Sequence, residues 1–215
     1  MRVIAGKNKG KRLESLPGSV TRPTADRVKE ALFSMLQARI PEAKVLDLFA
    51  GSGALGIEAL SRGAKHATFV DNNREAVEVI KRNVISTKND SDSRIIYSDW
   101  MIFLQNAESY DIIFLDPPYQ LGYLDETVAM ILAKEAISWG GVIVCECGKD
   151  EGFEPTGFKK IKDSRYGKTK ILIFEREETD GAGKVPMVDI KPKIDIPFAG
   201  EVKTHEKHSG VSREL

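Results

Sequence analysis

The pattern of apolar and polar positions divides the chain into alternating strands and helices. From residue 44 onward, short continuous apolar runs alternate with segments whose apolar residues recur at helical spacing. The predicted strands cover residues 45–49, 67–70, 94–98, 111–115 and 141–147. The predicted helices between them cover residues 53–62, 74–86, 100–106 and 123–138. Buried strands separated by helices are typical of a mostly parallel sheet that is covered on both faces.

Both ends of this region depart from the alternation. Residues 2–16 form a predicted β-hairpin around a glycine-rich turn, and the following apolar spacing predicts a helix that Thr24 caps and that ends before Pro41. Residues 157–161 and 170–175 are joined by a turn, which predicts an antiparallel hairpin. We therefore expect an α/β protein whose mostly parallel, seven-stranded sheet has an antiparallel edge hairpin, with a small N-terminal β-hairpin and helix in front of it.

Composition narrows the class of protein. No stretch approaches the roughly 18 apolar residues of a membrane span, and the N-terminus lacks the apolar core of a signal peptide, so we expect a cytoplasmic protein without membrane contact. Cys145 and Cys147 lie on one apolar run and are expected to be buried free thiols. The histidines, His66, His205 and His208, lie far from these cysteines in sequence, so we expect no metal. We also expect a monomer.

Charge is unevenly distributed, although the formal net charge is zero. Residues 1–27 contain only two acids, Glu14 and Asp26, which gives this segment a local charge of +5. Its seven basic residues are Arg2, Lys7, Lys9, Lys11, Arg12, Arg22 and Arg27. Such a segment indicates either a polyanion-binding face or an ordinary solvated surface, and charge alone does not choose between them.

The first candidate site is a glycine loop after the first strand of the α/β region. Gly51 and Gly53 allow a tight turn and a close approach of the backbone to a ligand, and the helix that follows offers unpaired N–H groups. With Gly56 the loop reads G-x-G-x-x-G, which is weak evidence by itself.

Acidic residues at three successive predicted strands indicate which ligand the loop holds. Asp47 lies four residues before Gly51, where a carboxylate suits the ammonium of methionine and would repel a pyrophosphate. Asp71 would bind the ribose hydroxyls, and Asp99 would accept from the adenine amino group. Any one of these acids alone reads as a helix cap or a surface residue, but the three together favour S-adenosylmethionine.

The predicted cofactor site comprises Asp47, Phe49, Gly51, Ser52, Gly53, Asp71, Asn72, Asp99 and Trp100. A nicotinamide dinucleotide fits the same spacing from loop to acid, so an NAD-dependent oxidoreductase stays open as an alternative. With S-adenosylmethionine as the cofactor, residues 41–177 form its methyltransferase domain. Residues 1–40 form the basic hairpin and helix, and residues 178–215 form an extended or disordered extension in which residues 185–192 are a candidate edge strand.

The second candidate site is the segment Asp116, Pro117, Pro118 and Tyr119, which follows the fourth strand. The exocyclic amine of a base is a poor nucleophile because its lone pair is delocalised into the ring. The carboxylate of Asp116 and the carbonyl of Pro117 can hold the two amine protons and direct the lone pair at a sulfonium methyl group. Tyr119 would stack on the base. A simple turn leaving a strand is the ordinary alternative for two prolines.

Base-amine chemistry does not identify the base. The Asp-Pro-Pro-Tyr segment suits any amino group on a base, so an adenine-N6 methyltransferase acting on DNA or RNA stays open. A non-catalytic RNA-binding module that has kept the fold is a further alternative.

The chain resembles class I methyltransferases, and within them the bacterial family that methylates N2 of a guanine (the guanine 966 type) in 16S ribosomal RNA. The matching segments are residues 2–6, 10–13, 22–33, 47–64, 116–119 and 165–167, of which 22–33 is the most family-specific. The resemblance implies a Rossmann-like fold, S-adenosylmethionine as cofactor, and a substrate that is the small ribosomal subunit or its assembly intermediate.

The resemblance also implies that the basic hairpin faces RNA. The residues predicted to contact the substrate are Pro118, Arg2, Lys7, Lys9, Lys11, Arg12, Arg22, Thr24 and Arg27. Residues 178–215 lie outside the resemblance.

Overall fold

A computed structural model gives the architecture of the protein. It describes residues 1–16, 23–117, 123–148, 153–167, 169–177 and 200–201, without the side chains of residues 23–25, 123, 200 and 201. Several predicted features therefore lie outside the described residues: Arg22, Pro118, Tyr119, the side chain of Thr24 and the candidate strand at 185–192.

The described elements follow the predicted alternation. The helices are α1 (Pro23–Met35), α2 (Ala54–Ser61), α3 (Arg74–Ser86), α4 (Trp100–Leu104) and α5 (Tyr123–Ala133), with a short 3-10 helix at Asp90–Asp92. The strands are β1 (Lys44–Asp47), β2 (His66–Asp71), β3 (Ser93–Tyr97), β4 (Tyr110–Leu115), β5 (Ile137–Gly148), β6 (Phe158–Tyr166), β7 (Thr169–Arg176) and β8 (Gly200–Glu201).

One sheet contains all eight described strands, in the order β6-β7-β5-β4-β1-β2-β3-β8. Strands β1 to β5 are parallel, and β7 and β6 follow as an antiparallel pair beyond β5. This confirms the predicted mostly parallel sheet with its edge hairpin. The two-residue β8, antiparallel to β3, is an addition to the seven predicted strands. The chain order reverses between β4 and β1, which is where open α/β sheets bind ligands.

Several predicted boundaries were wrong, and three of them have a clear cause. Helix α5 ends at Ala133 instead of residue 138, because Glu135 adopts a left-handed φ of 53° and the apolar residues after it belong to β5. Strand β6 continues to Tyr166, so the edge turn is shorter than expected. Helix α1 begins at Pro23, which places Thr24 inside the first turn instead of at the cap. In each case the apolar spacing alone did not distinguish a helix end from the adjoining strand or turn.

Alternation along the strands divides the core into two clusters. Val45 and Phe114 pack on one face of the sheet with α1, α2, α3 and the N-terminal hairpin. Leu46 and Ile113 pack on the other face with α4 and α5, where Cys145 is also found. Cys145 and its neighbour Cys147 are buried free thiols, as predicted. In the described residues, no helix is long and apolar enough to cross a membrane.

The N-terminal hairpin is antiparallel, as predicted, but only one bridge, between Arg2 and Arg12, has regular strand pairing. The amide of Leu13 donates to the carbonyl of Met1 at 2.9 Å and closes the pair. Val3 and Leu13 are buried in the cluster that contains α1. The hairpin therefore covers the same face of the sheet as α1, beside the carboxyl ends of β1 and β4.

Candidate active site

A cleft with a volume of about 530 Å³ lies at the carboxyl ends of β1, β4 and β5, beneath α1. The glycine loop forms part of its wall, and the turn between β6 and β7 forms another part. Its lining residues are Met1, Val28, Lys29, Leu32, Asp47, Phe49, Ala50, Gly51, Ser52, Ala54, Leu55, Asp116, Glu146, Tyr166, Gly167 and Thr169. The two sites predicted separately from sequence therefore share one cleft.

The glycine loop has the conformation that its sequence requires. Gly51 and Gly53 have φ angles of 54° and 74°, in the left-handed region that glycine adopts without strain. Asp71 holds the loop, since one of its carboxylate oxygens accepts from the amide of Gly51 at 2.7 Å and the other from the amide of Asn73 at 2.8 Å. Burial raises the pKa of Asp71 despite these two hydrogen bonds. Asp71 thus shapes the loop, a structural role that the sequence did not reveal.

Asp47 is a buried carboxylate in the wall of the cleft, with 2% of its surface exposed. The amide of Gly56 donates to it at 3.0 Å. Burial raises the pKa of Asp47 to about 7, and the negative charge of Asp71 acts in the same direction. A cationic group bound next to Asp47 would favour its ionised form. A phosphate in the same place would meet a repelling charge.

Asp116 follows the last residue of β4 and faces the cleft. Asp116 as a residue is exposed to solvent, but protein atoms surround its carboxylate, and the loss of water around this group raises its pKa. The negative charges of Glu146 and Asp47 raise the pKa further. Pro117 is buried behind it. The carboxylate of Asp116 thus lies close to two other acidic groups, those of Glu146 and Asp47.

The structure brings together only some of the predicted cofactor residues. Asp47, Phe49, Gly51, Ser52 and Asp116 line the cleft. The others do not line its described part: Gly53, Asp71, Asn72, Asp99 and Trp100. Of these, Asp99 caps α4 by accepting from the amide of Met101 at 2.8 Å, and Trp100 is buried. Their roles toward an adenosine group stay predictions.

Among the polar residues of the cleft wall, sequence reasoning missed four, namely Lys29, Glu146, Tyr166 and Thr169. Tyr166 and Thr169 reach the cleft only because the β6–β7 turn lies over it, which no local pattern reveals. Glu146 gave a usable signal, because a lone charge within an otherwise apolar strand needs an explanation.

Lys29 and Glu58 form a buried ion pair between α1 and α2, with nitrogen and oxygen 3.2 Å apart. Lys29 also donates to the carbonyl of Arg2 at 2.6 Å, and burial lowers its pKa although Glu58 opposes that shift. Glu58 in turn accepts from the amides of Ile4 and Ala5 at 2.7 and 3.0 Å. This pair fixes the first residues of the hairpin against the helix that follows the glycine loop.

Asn83 joins the other end of the hairpin to the glycine loop. Its side chain accepts from the amide of Glu14 at 2.8 Å and donates to the carbonyl of Glu14 at 3.0 Å. The same amide group donates to the carbonyl of Ser52 at 2.9 Å. The basic hairpin and the wall of the cleft are therefore held by shared side chains.

A second groove, of about 480 Å³, lies next to the cleft and is lined by three of the predicted basic residues. Arg2, Lys9 and Arg27 line it together with the acids Asp26 and Glu30. Arg2 forms an ion pair with Asp26 at 3.1 Å, and Lys7 is paired with Asp92. Within the described part of the chain, Lys9, Lys11, Arg12 and Arg27 have no acidic partner within 4 Å.

The model of the family described as Conserved hypothetical protein 95 matches residues 1–175 of the chain. A candidate rRNA methyltransferase from Bacillus subtilis, YlbH, is 35% identical over 82% of this chain and 99% of that protein. A Haemophilus influenzae protein named Ribosomal RNA small subunit methyltransferase D is 33% identical over 81% of this chain and 93% of that protein.

Among solved structures, the Escherichia coli protein yhhF, described as a candidate methyltransferase, matches with a TM-score of 0.75 and 33% identity. The match covers 83% of this chain and 99% of that one. The resemblance noted in the sequence thus extends to the fold and to relatives along most of their length.

Proposed function

On the premise that the chain belongs to the family described as Conserved hypothetical protein 95, whose named relatives are methyltransferases, we propose that it methylates the N2 amine of a guanine in 16S ribosomal RNA. The single observation that carries this proposal is the position of Asp116, which faces one cleft with the buried carboxylate of Asp47 across the reversal point of the sheet. The guanine of the 966 type is the specific target that the family resemblance favours.

S-adenosylmethionine is the cofactor, and the residues of the cleft fit it. Asp47 supplies a buried negative charge for the methionine ammonium, and the loop from Gly51 to Gly53 brings its backbone close to a ligand. When bound, this cofactor supplies an electrophilic methyl group on a sulfonium centre. A pyrophosphate next to Asp47 would be repelled, which argues against a nicotinamide dinucleotide in this loop.

Asp116 and Pro117 act on the substrate amine. Their two oxygens accept the two amine protons, so that the nitrogen lone pair leaves conjugation with the ring and is directed away from the protein backbone. After the new N–C bond forms, the nitrogen is positively charged and must lose one proton. Asp116 accepts it directly or through water, and its raised pKa brings this carboxyl closer to neutral pH, where a proton acceptor is most effective.

The basic groove supports RNA as the substrate. Arg27 lines this groove, and its neighbour Val28 lines the cleft, so a nucleic acid backbone held by Arg2, Lys9 and Arg27 would place a base next to Asp116. Basic side chains without local partners are suited to phosphate contacts. The names of the relatives favour the small-subunit RNA as the particular RNA.

Replacing Asp116 tests the reaction directly. Asp116→Asn keeps the shape but removes the charge that holds the amine, so we expect methyl transfer to small ribosomal subunits to fall by at least about 100-fold. Calorimetric affinity for S-adenosylhomocysteine should stay within about threefold, because the change lies on the substrate side of the cleft. Asp111→Asn, at the opposite end of β4, is the matched control and should leave transfer unchanged. Full turnover in the Asp116 variant would contradict the proposal.

A further inference from the structure

Lys29 lies on α1 where the cleft and the second groove adjoin. It lines the cleft, whereas Arg27 and Glu30, close to it on the same helix, line the groove. Only 6% of Lys29 is exposed. Burial of an ammonium group costs free energy, and an apolar side chain of the same size is often at least as stable in such a place. Stability alone therefore does not account for a lysine here.

The ammonium of Lys29 holds the main chain at the start of the hairpin. It donates to the carbonyl of Arg2 at 2.6 Å and lies 3.2 Å from a carboxylate oxygen of Glu58. Glu58 is fully buried, and it accepts from the amides of Ile4 and Ala5 at 2.7 and 3.0 Å. The ion pair thus fixes the backbone of residues 2, 4 and 5, from which Arg2 reaches the groove.

Helix α2 connects this ion pair to the cofactor side of the cleft. The amide of Gly56 donates to the carboxylate of Asp47 at 3.0 Å, and Glu58 follows two residues later on the same helix. The backbone hydrogen bonds of a helix hold such neighbouring residues in a fixed relation. The position of the Arg2 backbone relative to Asp47 is therefore set through α2 and the ion pair.

Loss of the ammonium of Lys29 would leave most of this network in place. Glu58 keeps a second cation, because Nε of Arg62 lies 2.8 Å from its other carboxylate oxygen. The hydroxyl of Ser61 still accepts from the turn of the hairpin. The change would therefore release chiefly the carbonyl of Arg2, while the hairpin stays attached to α2.

We propose that Lys29 is a positioning residue for methyl transfer, which holds the backbone of Arg2 so that RNA bound in the groove presents its target base to Asp116. This inference rests on the proposed function and extends it. The guanidinium of Arg2 is available to a phosphate, because its ion pair with Asp26 is a surface pair and therefore weak. Lys29 acts through Arg2, and a displacement of about 1 Å at such a point can lower a rate by about 100-fold.

The test compares turnover with RNA affinity in the full chain that carries Lys29→Met, an apolar side chain of similar shape. With small ribosomal subunits at saturating concentration, kcat should fall by at least about tenfold, because the bound RNA holds its base away from Asp116. The affinity for labelled subunits, measured by fluorescence anisotropy, should fall by less than about fivefold, because Lys9, Lys11 and Arg12 stay on the hairpin.

Two variants separate the lost hydrogen bond from a general effect of the substitution. Lys29→Arg keeps the charge and the donors, so kcat should stay within about threefold of the wild-type value. Lys81→Met on α3 is the matched control, because Lys81 is also paired with an acid, Glu78, but lines neither the cleft nor the groove. It should keep the wild-type kcat.

Calorimetric binding of S-adenosylhomocysteine within about threefold of wild type shows that Lys29→Met is folded. If this variant does not bind, Lys29→Gln, which keeps a polar group but is one atom shorter than lysine, decides by the same two measurements. A wild-type kcat in the folded variant, or a loss confined to RNA affinity, would overturn the role of Lys29 while the proposed function stands. Wild-type protein that methylates no guanosine in these subunits would overturn the proposed function, and this inference with it.

Discussion

Three carboxylates among the described residues line the cleft, and their surroundings differ. Asp47 is buried within the wall and has the charge for a bound cation, whereas Asp116 is open to the space where a base would enter. Glu146 lies beside Asp116 on the next strand. Burial raises the pKa values of both Asp47 and Asp116. The charge of Asp71 raises the pKa of Asp47 further, and the charges of Glu146 and Asp47 raise that of Asp116, so both carboxyls are shifted toward their neutral forms.

The raised pKa of Asp47 predicts that cofactor affinity depends on pH. This carboxyl contributes stability to the fold that is fully present below its ordinary pKa of 3.8 and is lost as the pH rises through about 7. Binding of a cation requires the ionised form. The affinity for S-adenosylhomocysteine should therefore fall by up to about tenfold per pH unit below pH about 7.

Calorimetric titrations from pH 5 to pH 8 check this dependence. Asp47→Asn should weaken binding at pH 8 by at least about tenfold and should reduce the pH dependence by about one proton, because the titrating group is gone. Glu108 is an exposed acid outside the cleft, so Glu108→Gln should keep the wild-type dependence of affinity on pH. If affinity in the Asp47 variant depended on pH as it does in the wild-type protein, the pH dependence would belong to another group.

Sequence made Asp47 and Asp116 predictable because each belongs to a local motif whose spacing carries chemical meaning. It did not reveal that Asp71 holds the amide of Gly51. Asp99 caps α4, which is the alternative role that the sequence allowed for this residue alone. Glu146 and Lys29 were missed, because their importance depends on which strand and which helix lie beside them.

At the scale of elements, the N-terminal hairpin is the unusual feature. It has one regular bridge, yet buried polar side chains of α2 and α3 fix it against the sheet domain. The contact is close at Gly6, whose neighbour Lys7 donates its amide to the carbonyl of Ser61 at 2.8 Å. The hairpin is thus joined to α2 and α3, and the basic hairpin and the glycine loop share one support.

Two glycines of the hairpin test this docking. Gly6 and Gly10 have nearly the same left-handed φ, 79° and 84°. A Cβ at Gly6 would lie 1.8 Å from the carbonyl oxygen of Ser61, whereas one at Gly10 meets nothing within 4 Å. Gly10→Ala should lower the free energy of unfolding by about 1–2 kcal/mol through backbone strain alone. Gly6→Ala should lower it by about 1–3 kcal/mol more, because the hairpin must move off α2.

Chemical denaturation of both variants measures the difference. Equal losses would mean that the hairpin is not packed as closely against α2 as the structure has it.

The hairpin itself was predicted from its glycine-rich turn, but its docking was not, because Ser61 and Asn83 lie more than 50 positions away in the chain. Helix and strand positions were predictable from periodicity, and the errors fell at ends such as that of α5, where helix and strand patterns merge.

At the scale of the whole molecule, charge is separated in a way that suits an anionic polymer. Lys9, Lys11 and Arg12 project from the hairpin without described acidic partners, on a chain whose net charge is zero. The acidic groups of the active site lie in the adjoining cleft. Under the proposed function, a backbone of phosphates would bind to the hairpin while a single base enters the cleft.

Reversing this charge should weaken RNA binding. The triple variant Lys9→Glu, Lys11→Glu and Arg12→Glu is expected to lose RNA affinity by at least about tenfold at low salt and to show a shallower salt dependence, since fewer counterions are released. Fluorescence anisotropy across a salt series measures both. The same triple reversal at Lys159, Lys160 and Lys162 on β6, at the far edge of the sheet, is the control and should have the smaller effect. Equal effects would assign the hairpin lysines to an ordinary solvated surface.

The most direct test of the central proposal is the identity of the methylated nucleoside. Small ribosomal subunits that lack the modification are incubated with the protein and methyl-labelled S-adenosylmethionine, and the RNA is digested to nucleosides and separated. We expect label in N2-methylguanosine, absent when Asp116→Asn replaces the wild-type protein. Label found only in N6-methyladenosine, or no label in the RNA, would contradict the proposal.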